Sequence, residues 1–131
     1  MTIATELYPG CAVDQFLELI RNTETSMTEA RRQNVTSQYD VVWAGIRAGD
    51  RPKVPLRTMT FGEVLDWQDS IDIKYMSEAA GAYQGMEDTI RGIPISRSAL
   101  FDERGQDTFA IALLEQKGLK DYLAGNMSLN K

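Results

Sequence analysis

The 131 residues contain no histidine and one cysteine, Cys11. Without an imidazole there can be no Ser-His-Asp or Cys-His catalysis. A lone thiol closes no internal disulfide, and a structural zinc site lacks both thiolates and imidazoles. No metal and no cofactor are expected. No stretch approaches the roughly 20 apolar residues of a membrane span. The opening residues, Met1 to Gly10, have neither the basic nor the apolar region of a secretory signal, so a target outside the cytoplasm would require another route of delivery. Positive charge is also short: 14 Lys and Arg face 19 Asp and Glu, a net charge of −5. That balance argues against nucleic acid as the partner, since phosphate neutralisation needs a basic face. The one basic concentration, Arg31, Arg32, Arg47, Arg51, Lys53 and Arg57, reads either as a solvated surface or as a rim that meets an anionic polymer. Acid–base work near neutral pH falls to carboxylates, tyrosines or lysines.

Hydrophobic residues make up 43% of the chain and charged residues 25%, ordinary values for one globular domain spanning 1–131. Residues 1–10 read as a tail ending at Pro9-Gly10. Val13, Phe16, Leu17 and Ile20 recur at helical spacing, with Asp14, Gln15, Glu18 and Arg21 on the opposite face. The polar run Asn22-Thr23-Glu24-Thr25-Ser26 should end that helix near Glu24. The β-formers Tyr39, Val41, Val42 and Trp43, followed by glycines and by Pro52 and Pro55, predict a small β-element over 36–58. Thr60-Phe61-Gly62-Glu63 has the form of a capping box, opening a helix to about Ile73. Ser77 to Gly85 should be a tight turn or hairpin edge, and a short helix should cover Met86–Arg91 before Gly92. The strongest helix should start at Asp102 or Asp107 and stop at Lys117-Gly118. A last helical turn is expected over Lys120–Leu123, with Ser128 placed like an N-cap.

Four stretches, in order, resemble the lysozyme-like peptidoglycan hydrolases of phages, including lambda-type endolysins that act as lytic transglycosylases. They are Phe16–Ile20 running into Thr23-Glu24-Thr25; Tyr39-Asp40-Val41-Val42-Trp43-Ala44-Gly45; Ser77-Glu78-Ala79-Ala80-Gly81-Ala82-Tyr83-Gln84; and Gln106-Asp107 opening the Leu/Ala-rich segment 109–117. Together they span about 13–125. The resemblance implies an α+β, mainly α, lysozyme-like fold with the small β-element between the first helix and the helical core. Thr25 stands where the family has glycine. The family's further closing helix has no counterpart after Leu123–Gly125, so it is expected to be missing or supplied by another chain.

The resemblance also implies cleavage of the MurNAc–GlcNAc bond of peptidoglycan, with Glu24 as the acid. Such an acid must be held protonated, which apolar surroundings and a helix C-terminus both favour. Asp40 is the candidate second carboxylate, to be found about 5 Å or about 6.5–9.5 Å from the acid in a hydrolase. It reads first as a structural residue bonding backbone amides in the β-region. If no second carboxylate reaches the cleft, Glu24 must act twice and leave a 1,6-anhydro product. Tyr39, Ser77, Tyr83 and Gln84 map onto substrate-binding positions, with turn formation and core packing as their alternative roles. Gln106 and Asp107 fit a helix cap and a buried hydrogen-bond partner. The expected partners are glycan strands, with phage virion proteins or self-association through the C-terminal region as further candidates. The expected place of action is the cell wall, reached from the host cytoplasm at lysis or from a virion. The alternative function is a lysozyme-like binding or structural module of a tail, baseplate or ejection apparatus.

Overall fold

Residue Thr2, not Pro9-Gly10, begins the folded structure. In the computed structural model, which describes residues 1–124, its hydroxyl accepts from the Thr5 amide at 3.2 Å and opens α1 (Ile3–Leu7). Ala4 is buried, Tyr8 donates to Glu115 and Arg104 pairs with Glu6, so the expected tail is a helix packed along the chain's longest one. Five residues carry no readable period; tertiary packing decides this segment. Pro9 and Gly10 (φ +77°) form the bend into α2 (Val13–Glu24), which ends at the expected residue.

Among the described residues there are seven α-helices and three short 3-10 turns. After α2 comes α3 (Met27–Arg32), where Ser26 accepts from the Glu29 amide at 3.0 Å. The 3-10 turns Gln38–Asp40, Ala48–Asp50 and Leu56–Thr58 lead to α4 (Phe61–Ile71). Thr60 and Glu63 complete the capping box in both directions, at 3.1 and 2.9 Å. Then follow α5 (Glu87–Arg91), α6 (Glu103–Gln116), capped by Asp102, and α7 (Leu119–Leu123) after left-handed Gly118. The architecture is mainly helical. Ser128 and the expectation about a closing helix lie outside the described residues.

The expected β-element over 36–58 forms no strand. Pairing is limited to isolated bridges, Val42 with Ala80, Ala80 with Gly85, and Thr60 with Leu100. The reason lies partly in Gln33. Its carboxamide accepts from the Val42 amide at 3.0 Å and donates to the Val42 carbonyl at 2.7 Å, the two bonds a neighbouring strand would make. A buried side chain thus takes the place of a strand, and Pro52 and Pro55 keep the rest irregular.

Two apolar clusters form the core. The larger lies under α4 and α5 and includes Val42, Leu56, Phe61, Val64, Phe101 and Phe109. The smaller, Ala4, Val13, Leu17, Ala110 and Ile111, joins α1 and α2 to α6. Consecutive residues of α6 point about 100° apart, so Phe109 enters one cluster while Ala110 and Ile111 enter the other. Helix α6 is the shared wall of both.

Candidate functional site

The last turn of α2 is held from two sides, and Arg21 is the joint. Its carbonyl accepts from the Thr25 amide at 2.8 Å, the Thr25 hydroxyl at 2.9 Å and the Gln38 carboxamide at 3.4 Å. Gln38 reaches Asn22 and Thr25 as well. Thr25 needs no glycine-like freedom here: at φ −139°, ψ 174° it is ordinary extended chain, and its hydroxyl closes the helix. Glu24 projects from this fixed turn into solvent.

On the other side, the Arg21 guanidinium donates to the Tyr83 hydroxyl at 2.8 Å and lies 5.5 and 5.9 Å from the centres of the Tyr39 and Tyr83 rings. Tyr83 and Tyr39 both donate to Asp107 Oδ1, at 2.5 and 2.8 Å, and Arg21 stands 3.9 Å from the same oxygen. The two rings meet edge to face at 6.2 Å. Burial pushes the Asp107 carboxyl above the usual aspartate range, partly opposed by the bonds from Tyr83 and Tyr39 and by Arg21. Burial first, and Asp107 after it, push both phenols above the ordinary tyrosine range. The phenols therefore remain protonated donors, and each has its single proton on Asp107.

Residue Gln106, the neighbour of Asp107 on α6, fastens the backbone of the same segments. Its carboxamide donates to the carbonyls of Tyr39 and Phe101, both at 2.9 Å, and accepts from the Ala82 amide at 2.8 Å. Gly81 (φ +85°) lies against it; a Cβ there would sit 2.9 Å from Gln106 Cδ, so the turn admits only glycine. Glycine, tyrosine and the Gln-Asp pair thus interlock.

No family model, curated protein or solved structure matches this chain.

The remaining expected site residues separate into three situations. Glu24 is exposed and accepts no hydrogen bond among the described residues, so the apolar wall expected around it is not part of the unliganded fold. Asp40 is buried with its oxygens on Arg57: Oδ1 accepts from the Arg57 amide at 3.1 Å and Oδ2 from Nε at 3.0 Å. Both oxygens of Asp40 are thus taken up by Arg57, one of them on a backbone amide. Ser77 and Gln84 hold their own loop. Ser77 Oγ accepts from the Ala79 amide at 3.2 Å, and the Gln84 carboxamide donates to Val41 and Gly81 carbonyls at 3.2 and 2.9 Å. The only convergence of three carboxylates among the described residues, Asp69, Asp72 and Glu87 within 4.8 Å, could hold a cation in spacing, but Glu87 already pairs with Arg91 at 2.8 Å.

Arg21 and Gln38 were not among the expected site residues. Helical spacing puts Arg21 on the polar face of α2, and no local pattern announces a partner 62 residues further on. The Ser26-x-x-Glu29 signature of α3, by contrast, was present to be read.

Proposed function

We propose that this chain cleaves the MurNAc–GlcNAc glycosidic bond of bacterial peptidoglycan, with Glu24 serving as acid and then as base. One observation carries the reading. Three of the four stretches that resemble phage lysozyme-like hydrolases each send one residue into a single network, Tyr39, Tyr83 and Asp107, and Arg21 joins it to the helix of the first stretch. A chance likeness of short motifs has no reason to converge in space. That network fixes the helix turn from which Glu24 projects.

Glu24 stands in water until a glycan covers it. A strand laid across the end of α2 would exclude that water and favour the neutral, proton-donating carboxyl. Glu24 gives its proton to the leaving glycosidic oxygen as the C1–O bond breaks. With Asp40 engaged by Arg57 and Asp107 by the tyrosines, no second named carboxylate is free to activate water. Glu24, now a carboxylate, takes the proton of the muramic acid C6 hydroxyl, whose oxygen closes on C1 to give the 1,6-anhydro sugar. Tyr39 and Tyr83 act through Arg21 and Asp107 as positioning residues. Ser77 and Gln84 shape the adjoining turn. The place of action would be the cell wall, for a free endolysin or a virion-borne enzyme alike.

Digestion of purified peptidoglycan followed by mass spectrometry tests this. Anhydro-muropeptides are expected from the wild type and none from Glu24→Gln. Reducing muropeptides would replace the transglycosylase route with hydrolysis, and equal products from the variant would remove Glu24 from the chemistry. The second reading, a binding or structural module, draws on Glu24's exposure and on an apolar groove formed by Val13, Phe16, Leu114, Leu119, Tyr122 and Leu123. It predicts co-sedimentation with cell-wall sacculi or self-association with no product at all.

A further inference from the structure

The chain carries a net charge of −5, yet two of its cations face a cleft of about 350 Å³ without an acidic partner. The cleft lies between the end of α3 and the loop 48–56. Arg51 and Lys53 stand on its rim, and Val35, Pro52, Val54 and Leu56 supply apolar wall. Among the described residues neither cation forms an ion pair. Arg51 donates through Nε to the Ile46 carbonyl at 3.2 Å, and Lys53 to the Gly49 carbonyl at 3.3 Å. Of the other polar side chains lining the cleft, Asn34 makes no side-chain hydrogen bond among the described residues, and two are committed. Asp40 is neutralised by Arg57, and the Gln33 carboxamide is taken up by Val42. Glu29, the acid that senses Arg51, is already bound by Arg32 and Gln33. Cationic hydrogen-bond donors above a small apolar wall suit an anion on a compact, weakly polar body.

We propose that this cleft binds a carboxylate carried on a short peptide of small side chains. Given the peptidoglycan reading, on which the identity of the peptide rests, the ligand is the stem peptide attached to the glycan. Arg51 and Lys53 take its carboxylate, and the wall takes its methyl and methylene groups. The cleft is linked to the Glu24 turn through hydrogen bonds. Its Asp40 closes the 3-10 turn whose Gln38 bonds Asn22 and Thr25, the residues flanking the Glu24 turn. The cleavage site would then prefer peptide-bearing strands to stripped ones.

Calorimetric titration of the full chain tests this with a synthetic L-Ala-γ-D-Glu-diaminopimelate tripeptide as probe. Saturable binding is expected for the wild type and for Glu24→Gln alike. The Arg51→Gln/Lys53→Gln variant should weaken it by about tenfold or more, the size of a lost charge-assisted hydrogen bond. Lys117→Gln/Lys120→Gln, an equal change of two charges at the junction of α6 and α7, should not. Arg51→Lys should retain part of the affinity, and a melting curve confirms that each variant is folded. No binding, equal binding by the double variant, or equal binding of the tripeptide amidated at its carboxylates would overturn the proposal. So would inorganic phosphate binding as tightly as the tripeptide, since that marks a general anion site. The two readings fail separately. Tripeptide binding without glycan cleavage removes the catalytic role and keeps the cleft; equal cleavage of stripped and peptide-bearing glycan, with no tripeptide binding, does the reverse.

Discussion

An arginine that looks like surface from its helix period is here the residue on which the end of α2 depends. Replacing Arg21 with Met keeps the hydrocarbon stem and removes every bond to Tyr83 and Asp107. On the proposed glycosidase reading, the expected result is a fall in kcat with KM little changed, because the turn bearing Glu24 loosens while the surface a glycan would meet persists. Arg21→Lys should restore part of kcat; loss in KM alone would exclude a positioning role. Asp107 gives a prediction in pH. Its folded-state value is raised, so its favourable contribution is complete below the unfolded value of about 3.9 and is lost as pH rises through the folded value. Asp107→Asn keeps an acceptor for the two phenols and removes the buried charge. Chemical denaturation across the acid range should therefore show a flatter stability profile above about pH 4 than the wild type. An unchanged slope would mean that Asp107 does not titrate against burial.

Among the elements, Gln33 does the work of an absent strand. Gln33→Ala leaves both the amide and the carbonyl of buried Val42 without partners, a cost of about 2–6 kcal/mol at the usual penalty for each orphaned group. A urea midpoint close to wild type would show that water or a local shift replaces the carboxamide. The same residue shows where sequence reading reaches its limit. Helices with a period or a cap were legible: Val13 to Ile20 gave α2, Thr60 and Glu63 gave the start of α4, and Asp102 with Lys117-Gly118 bounded α6. Val41-Val42-Trp43 has strand chemistry, but whether it pairs with a strand or a glutamine side chain is set by tertiary approach, which no local pattern contains. Helix α1 was hidden for a similar reason, since packing against α6 stabilises it more than its own five residues do. Of the site, Tyr39 and Tyr83 were legible as candidates, and Asp107 as a buried hydrogen-bond partner. Their mutual bonds and the Arg21 joint were not, because each joins segments far apart in the chain.

At the scale of the whole molecule, α6 is wall to both apolar clusters and anchor to the polar network. The amides of Phe109 to Ile111 should exchange with solvent more slowly than any others, by way of global unfolding, while those of α1 exchange early through local opening. Native-state hydrogen exchange resolves this, and early exchange in α6 would contradict a two-sided core. The centrality of α6 also has a consequence in time. A ribosome makes Glu24 early and Asp107 late; Arg21 waits 62 residues for Tyr83, and Tyr39 waits 68 for Asp107. Until α6 leaves the exit tunnel, the nascent chain has Glu24 but not the frame that fixes its turn. Competence, on this account, is a property the polypeptide acquires only once α6 has joined the fold.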